Sequence, residues 1–358
     1  MKLAGDPGGR IPSLDGLRAI SILLVIFAHL TAATGSPLPE SIADRYDLGQ
    51  LGVRVFFVIS GYLITTLLLR EHKKTGTISL KKFYYRRTLR IFPTYYLMLG
   101  CITALVLLDA ASEVSVRDLV HAVTYTTNYE AQRAPVLAHT WSLAVEEQFY
   151  LLWPAIFLFV RPRFAVRIAA FAMLAVPIYR LYFGMVSTGH VLVASTFGST
   201  ADMIATGCVL AGWRDELHGR TWYLRLIRSP LLLALPIVVL GINMAQGFFK
   251  LYWLVGISVQ CVCIALIIDA AMENHDSAIG KVLNWRPLVL IGTWSYSLYL
   301  WQQVFLDPAN HSVVATFPQN LVFVFAAGVV SYYAIEKPLL RMRERWEPRL
   351  FPRRTTTQ

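Results

Sequence analysis

Charged residues are scarce in this sequence. Asp, Glu, Lys and Arg make up 15% of the 358 residues, whereas 56% are hydrophobic, and the mean hydropathy is +0.51. Soluble globular domains carry roughly 25% charged residues. The composition therefore excludes a water-soluble domain and predicts a protein that crosses a membrane several times.

Cysteine is also scarce, and all four lie within apolar runs, at Cys101, Cys208, Cys261 and Cys263. They form no Cys-X-X-Cys pair and no cysteine and histidine spacing typical of zinc, so we predict neither a disulfide framework nor a metal site. The sequence also lacks the GxSxG, P-loop, GxGxxG and HExxH patterns. We expect no permanently bound cofactor.

The apolar residues fall into ten stretches long enough to cross a bilayer. They lie at about 17–35, 51–69, 91–109, 141–160, 168–186, 197–213, 229–246, 250–269, 288–306 and 320–336. We therefore predict an all-α integral membrane protein, with about ten transmembrane helices in residues 1–340 and a short basic cytoplasmic tail at 341–358. Residues 1–16 lack a cleavable signal, so the first stretch is expected to remain in the mature protein.

The basic residues indicate the orientation of these helices. If both termini are cytoplasmic, 26 of the 33 Lys and Arg residues fall in inside segments, and only Arg45, Arg117, Arg133 and Lys250 fall in outside loops. Because positive residues favour the cytoplasmic side, this distribution predicts cytoplasmic termini. It also explains the net charge of +11 without a nucleic-acid partner.

The first span carries two ionisable residues, Arg18 and His29. Eleven positions are close to three helical turns, so both side chains project from one face about 16 Å apart along the axis. Ionisable groups within a span normally face a protein-lined or water-filled interior, which makes the pair a candidate functional site. The alternative is that the two residues only mark the membrane interfaces, and the pattern alone favours neither interpretation.

The second and third spans supply further cations. Arg54 lies in an otherwise nearly uncharged run, and Ser60 and Gly61 follow near mid-depth, where glycine permits close helix packing. Arg87 and Arg90 share a helix face at the cytoplasmic mouth of the third span. An arginine pair placed in this way suits either a nucleotide phosphate or an anionic lipid headgroup.

The fourth span begins with an acidic pair, Glu146 and Glu147, and Glu147 shares a helix face with Tyr150. Because neighbouring helix positions diverge, we expect one glutamate to face the bundle and the other to face a neighbouring helix or the interface. A buried carboxylate can orient an imidazole for acid and base chemistry. The alternative is a structural ion pair with an arginine, either Arg54 or Arg180.

Later spans carry weaker signals. Asp202, in the sixth span, is a candidate partner for Arg180. In the last span, Glu336 and Lys337 precede Pro338, which is expected to stop the helix.

Taken in order, these segments resemble the membrane-bound acyltransferase-3 family, which includes polysaccharide O-acetyltransferases and macrolide acyltransferases. The resemblance covers nearly the whole chain and rests on LDGLRAISILLVIFAH, GVRVFFVISGYLIT, FYYRRTLRIFPTYY, HTWSLAVEEQFYLLWP, the stretch 202–211, SYSLYL and YYAIEKP. It implies a ten-helix enzyme in the cytoplasmic membrane of a bacterium. The enzyme would move an acyl group, usually acetyl, from acyl-coenzyme A to a hydroxyl of a carbohydrate or lipid-linked glycan.

The resemblance also implies donor and catalytic residues. The family's Arg-X10-His motif falls on Arg18 and His29, and its Arg-X-X-Arg motif falls on Arg87 and Arg90. We expect the coenzyme A phosphates on the arginines and the thioester near His29. His29 would then deprotonate the acceptor or carry the acyl group covalently, and the sequence leaves both routes open.

Supporting roles fall on five further residues. Glu146 or Glu147 would orient or charge-balance the imidazole, while Arg54, Ser60 and Tyr150 would place the acceptor or stabilise the oxyanion.

The sequence departs from the family pattern in two respects. Relatives often have a histidine where Gln302 stands, so that imidazole's role is absent or filled elsewhere. Many relatives also carry a C-terminal secreted hydrolase-like domain, so we expect this membrane unit to act alone or with a separate extracytoplasmic partner. The competing interpretations are a transporter or flippase of an envelope precursor and an inactive partner of another acyltransferase.

Overall fold

Helices make up the regular structure of this chain, and no strand occurs among the residues that the structure describes. The computed structural model describes residues 11–39, 41–42, 46–108, 113–186, 190–245 and 249–351. The basic residues Lys2, Arg10 and Arg45 and the end of the predicted tail, 352–358, lie outside these ranges.

The longer helices follow the apolar stretches of the sequence. In chain order they are α1 (Pro12–Ala32), α2 (Leu48–Thr75), α3 (Leu80–Leu107), α4 (Thr140–Phe159), α5 (Pro162–Val186), α6 (Phe197–His218), α7 (Leu235–Met244), α8 (Tyr252–Glu273), α9 (Arg286–Leu306) and α10 (Gln319–Leu350). Short helices at Val116–Val123, Pro135–Ala138, His190–Ser195, Thr221–Ile227, Phe249–Leu251 and Ala278–Leu283 join them, with 3-10 turns at Thr127–Tyr129, Pro230–Ala234 and Val313–Ala315.

Six helices are long and apolar enough to cross a membrane, namely α1, α2, α3, α5, α8 and α10. A bent pair, Thr221–Ile227 with Pro230–Met244, meets the same criteria as one broken span. The long helices α4, α6 and α9 also match predicted spans, but their polar side chains lower their hydropathy. The all-α membrane fold is therefore confirmed, whereas the count of about ten spans and the cytoplasmic termini stay predictions.

The expectation that Pro338 ends the last helix is wrong. The helix Gln319–Ser331 passes through a π-helical turn at Tyr332–Glu336 into Lys337–Leu350, and Pro338 lies in the first turn of that last segment. A proline in the first turn lacks only an N–H that would have no helical partner. The π turn supplies the change of hydrogen-bond register that lets the helix continue.

Helices α1 and α9 lie side by side and run in the same direction. A Cβ added to Gly292 of α9 would come within 1.8 Å of the carbonyl oxygen of Asp15 on α1, so the two backbones touch where only glycine fits. Further along, His29 of α1 meets Gln302 of α9. These two contacts fix how the face of α1 that carries Arg18 and His29 is aligned along α9.

Helix α2 crosses α6 at a pair of glycines. A Cβ on Gly61 would lie 2.0 Å from the carbonyl oxygen of Ile204, and a Cβ on Gly207 would lie 2.0 Å from that of Val58. The predicted packing role of Gly61 is therefore confirmed. Because Gly61 faces α6, the neighbouring Ser60 points towards α4.

We predict that Gly61→Ala lowers the free energy of unfolding by about 1–3 kcal/mol, because the added methyl forces α2 and α6 apart. The matched control is Gly100→Ala, since a Cβ at Gly100 meets no atom within 4 Å and alanine favours the helix. Thermal unfolding of the purified protein in detergent measures both variants. Equal melting temperatures for Gly61→Ala and the wild type would contradict this packing.

Candidate functional site

A cavity with an empty volume of about 830 Å³ opens between α1, α2, α3, α4 and α9. We call it the arginine cavity. Its lining is charged or hydroxyl-bearing at eleven positions: Arg18, Arg87, Arg90, Glu146, Glu147, Ser60, Tyr150, Ser142, Ser295, Tyr296 and Tyr299. Seven of the nine predicted site residues therefore border one space, and the two that do not are His29 and Arg54.

Two arginines of this cavity, Arg87 and Arg90, form no direct ion pair with another residue that the structure describes. Arg87 lies 4.7 Å from the centre of the Tyr150 ring and 5.9 Å from that of Phe83. Arg18 pairs with Asp15 at 3.3 Å. No carboxylate in the described ranges lies within 4.0 Å of the nitrogens of Arg87 or Arg90. This end of the cavity is consequently suited to an anionic ligand.

Glu146 is held inside the cavity by two hydroxyls. Ser60 donates to its Oε1 at 2.8 Å, and Tyr150 donates to its Oε2 at 3.1 Å. Tyr150 also lies 3.3 Å from the Ser60 hydroxyl oxygen. The hydroxyl protons of Ser60 and Tyr150 are thus directed at Glu146, and the three residues form one fixed group.

Glu147 borders the same cavity as Glu146, so the expectation that only one of them faces the bundle is wrong. Successive helix positions differ by about 100°, and the cavity is wide enough to receive both side chains. Glu147 interacts electrostatically with Arg87.

His29 lies just beyond the arginine cavity. Its Nδ1 is 2.9 Å from Oε1 of Gln302. Tyr299, which lines the cavity, precedes Gln302 on α9 by three residues, a rise of about 4.5 Å. The imidazole therefore lies about one helical turn past the cavity lining.

The contact with Gln302 defines the state of the His29 ring. Because an amide oxygen only accepts hydrogen bonds, this contact favours the tautomer that has the proton on Nδ1 and a lone pair on Nε2. The Gln302 amide nitrogen in turn donates to Oε1 of Gln303 at 3.3 Å. The hydrogen-bond partner of the His29 ring is therefore Gln302, and not the glutamate that the sequence predicted.

Arg54 is apart from this site. Its guanidinium is buried and donates to Asp47, Asn243 and Gln260, each at 2.9 Å. Arg180 is likewise paired with Asp202, at 2.9 and 3.1 Å, as predicted. The interpretation of Glu146 or Glu147 as a structural partner of these two arginines is therefore wrong.

The polar side of α9 is only weakly marked in the sequence. Tyr299 donates to the backbone carbonyl of His139 at 3.0 Å and shares a short hydrogen bond with Ser142. The buried His139 ring packs on that of Tyr299, with centres 5.5 Å apart. The signal was the recurrence of polar residues at 295, 299 and 302, which is helical spacing within an apolar span.

The fold and the site together define a polytopic membrane protein with an enzyme-like polar cavity. The profile of the acyltransferase domain family, Acyl_transf_3, matches residues 11–335, and the chain belongs to this family.

Curated relatives agree with this assignment. The chain is 31% identical over 366 residues to the O-acetyltransferase OatA of Staphylococcus aureus strain NCTC 8325, with 92% of this chain and 57% of the relative covered. A putative O-acetyltransferase of S. aureus strain COL is 30% identical over 381 residues, covering 96% and 60%. The chain thus spans less than two thirds of the length of these relatives. No solved structure matches it.

Proposed function

We propose that this chain is a bacterial membrane O-acetyltransferase that moves acetyl from cytoplasmic acetyl-coenzyme A to a hydroxyl of a carbohydrate or lipid-linked glycan. The observation that carries the proposal is the arginine cavity. Arg87 and Arg90 line one end without a direct ion-pair partner among the described residues, and His29 lies one turn beyond the other end. The family and the names of the relatives support an enzyme over a transporter.

The donor phosphates bind at the arginine end in this proposal. Guanidinium groups hold phosphate oxygens in bidentate geometry, and Arg87 and Arg90 lie at the start of α3, beside the loop that the charge distribution places in the cytoplasm. Glu146 and Glu147 lie deeper in the cavity and repel phosphate. Only the uncharged thioester arm is then free to extend along α1 from Arg18 towards His29.

Transfer requires a base for the acceptor hydroxyl, and His29 is positioned as one. Nε2 accepts the hydroxyl proton while the acceptor oxygen bonds to the thioester carbonyl carbon. The carbon–sulfur bond then breaks, and the leaving thiolate takes the proton from the imidazolium. Donation from Nδ1 to Gln302 holds the required tautomer throughout, as a base-orienting partner does in other hydrolytic and transfer enzymes.

We predict that His29→Ala lowers kcat by a hundredfold to ten-thousandfold, the usual contribution of a positioned base, and leaves acetyl-coenzyme A binding intact. The measurements are acetyl transfer from radiolabelled acetyl-coenzyme A to cell-envelope glycans and equilibrium binding of the donor. His275→Ala, at a half-exposed histidine in the loop after α8, is the control and should behave as wild type. Acetyl transfer by a folded His29→Ala protein at the wild-type rate would refute the role of His29.

The arginine end generates a separate prediction. Arg87→Gln and Arg90→Gln should each weaken donor binding roughly 10- to 100-fold, because each removes charge-assisted hydrogen bonds to phosphate. Arg86→Gln is the matched control on the same helix, since Arg86 pairs with Glu347 and does not line the cavity. If all three variants bind acetyl-coenzyme A like the wild type, the donor site lies elsewhere.

Gln302 is predicted to act through His29. Gln302→Leu removes the acceptor for Nδ1, so we expect kcat to fall roughly tenfold, the equivalent of one hydrogen bond, with donor KM unchanged. Gln302→Glu keeps an acceptor at this position and should restore most of the rate, while shifting the pH–rate profile upwards. If Gln302→Glu is as slow as Gln302→Leu and its pH–rate profile is not shifted, the role of Gln302 is structural only.

A further inference from the structure

A second cavity, with an empty volume of about 840 Å³, lies next to the arginine cavity, beside the N-terminal parts of α2 and α4. We call it the aromatic cavity. Its lining combines ring-bearing and planar polar side chains, among them Trp141, Tyr252, Trp253, Asp47, Gln50 and Arg133.

We propose that the aromatic cavity is a binding subsite for a neutral carbohydrate, and we infer, on the basis of the proposed function, that this carbohydrate is the acetyl acceptor. Aromatic faces pack against the apolar faces of sugar rings, and carboxylate, amide and guanidinium groups match pairs of neighbouring hydroxyls. Pockets that bind small ligands combine these two features, with apolar walls and a few fixed polar groups.

The polar groups of the cavity are fixed before any ligand binds. Asp47, the residue immediately before α2, adopts a left-handed backbone conformation with φ 42°. Its Oδ2 accepts from Arg54 at 2.9 Å and lies 3.5 Å from the Tyr252 hydroxyl. Asn243 and Gln260 hold Arg54 from the other side.

The two cations beside this cavity favour a neutral ligand over a phosphate, because their guanidinium donors already have partners within the protein. Arg54 is paired with Asp47. Arg133 donates to the carbonyl oxygen of Glu130 at 2.6 Å and to the Ser195 hydroxyl. Both cations near this cavity are therefore already engaged, in contrast to Arg87 and Arg90 in the arginine cavity.

One aromatic pair separates the two cavities. The Trp141 ring lines the aromatic cavity and packs edge-to-face on Phe57, which lines the arginine cavity, with ring centres 5.9 Å apart. Ser142, the next residue on α4, also lines the arginine cavity. Phe57 and Trp141 would thus form part of the wall between a donor in one cavity and an acceptor in the other.

The aromatic cavity also lies at the depth of the proposed base. Helices α1 and α2 are packed so that a Cβ on Gly49 would lie 3.3 Å from that of Ala28, the residue before His29. Gln50, the residue after Gly49, lines the aromatic cavity. A hydroxyl held beside Gln50 is therefore level with the imidazole along the bundle.

The test measures sugar binding apart from acetyl transfer. The probes are two neutral oligosaccharides, chitotetraose and maltotetraose, titrated into the purified full chain in detergent, with acetyl-coenzyme A binding measured in parallel. We expect Trp253→Ala and Gln50→Leu each to weaken oligosaccharide binding roughly tenfold and to leave donor binding unchanged. Trp253→Tyr, which keeps an aromatic face, should retain most of the sugar affinity.

Trp285→Ala is the matched control, because Trp285 is 63% exposed and lies before α9, away from both cavities. Failure of the wild type to bind either oligosaccharide, or equal sugar binding by the wild type, Trp253→Ala and Gln50→Leu, would overturn the subsite. Sugar binding that depends on Trp253 in a protein that does not bind acetyl-coenzyme A would support the subsite and contradict the proposed function.

Discussion

A charge inside an apolar bundle must be paired or must face a polar space, and the organisation of this protein depends on how its inward arginines meet that requirement. Arg54 and Arg180 meet it internally, each with an aspartate at 2.9 Å and further oxygen acceptors. Arg87 and Arg90 instead face the arginine cavity. Arginine therefore occurs in two settings in this bundle, either in an ion pair with an aspartate or at a polar cavity, and the identity of the partners distinguishes the two.

The proposed function also requires a fixed distance between the arginine end of the cavity and His29. Helix α1 supplies this distance, since Arg18 lines the cavity and His29 lies about 16 Å further along the same helix. Contact between α1 and α9 at Gly292 keeps the two helices in register, and Gln302 on α9 orients the imidazole. In the proposed function, α1 therefore sets how far the acyl group lies from its phosphates.

Helix positions and most of the arginine cavity could be predicted from sequence because both depend on local patterns. Apolar stretches of span length define the helices, and Arg18, Arg87, Glu146 and Tyr150 stand out as polar groups within them. The π turn before Pro338 was not predictable in this way, because no local pattern of apolar residues marks it. Its last residue, Glu336, accepts a hydrogen bond from Ser297 of α9 at 3.0 Å.

The surroundings of His29 and Arg54 depend on contacts between distant parts of the chain. The partner of His29 is 273 positions away, and no spacing rule selects Gln302 over Glu146. Arg54 occurs in an apolar run just as Arg18 does, and its separation from the site follows from Asn243 and Gln260, on helices α7 and α8. Glycine contacts and buried polar groups fix how distant helices pack against one another, and this packing determines the partners of His29 and Arg54.

The most direct test of the account is a structure of the protein with coenzyme A bound. The account predicts the phosphates within hydrogen-bonding distance of the Arg87 and Arg90 guanidinium groups, and the sulfur on the His29 side of Tyr299. Phosphates bound away from these arginines, or a sulfur directed away from α1, would contradict it.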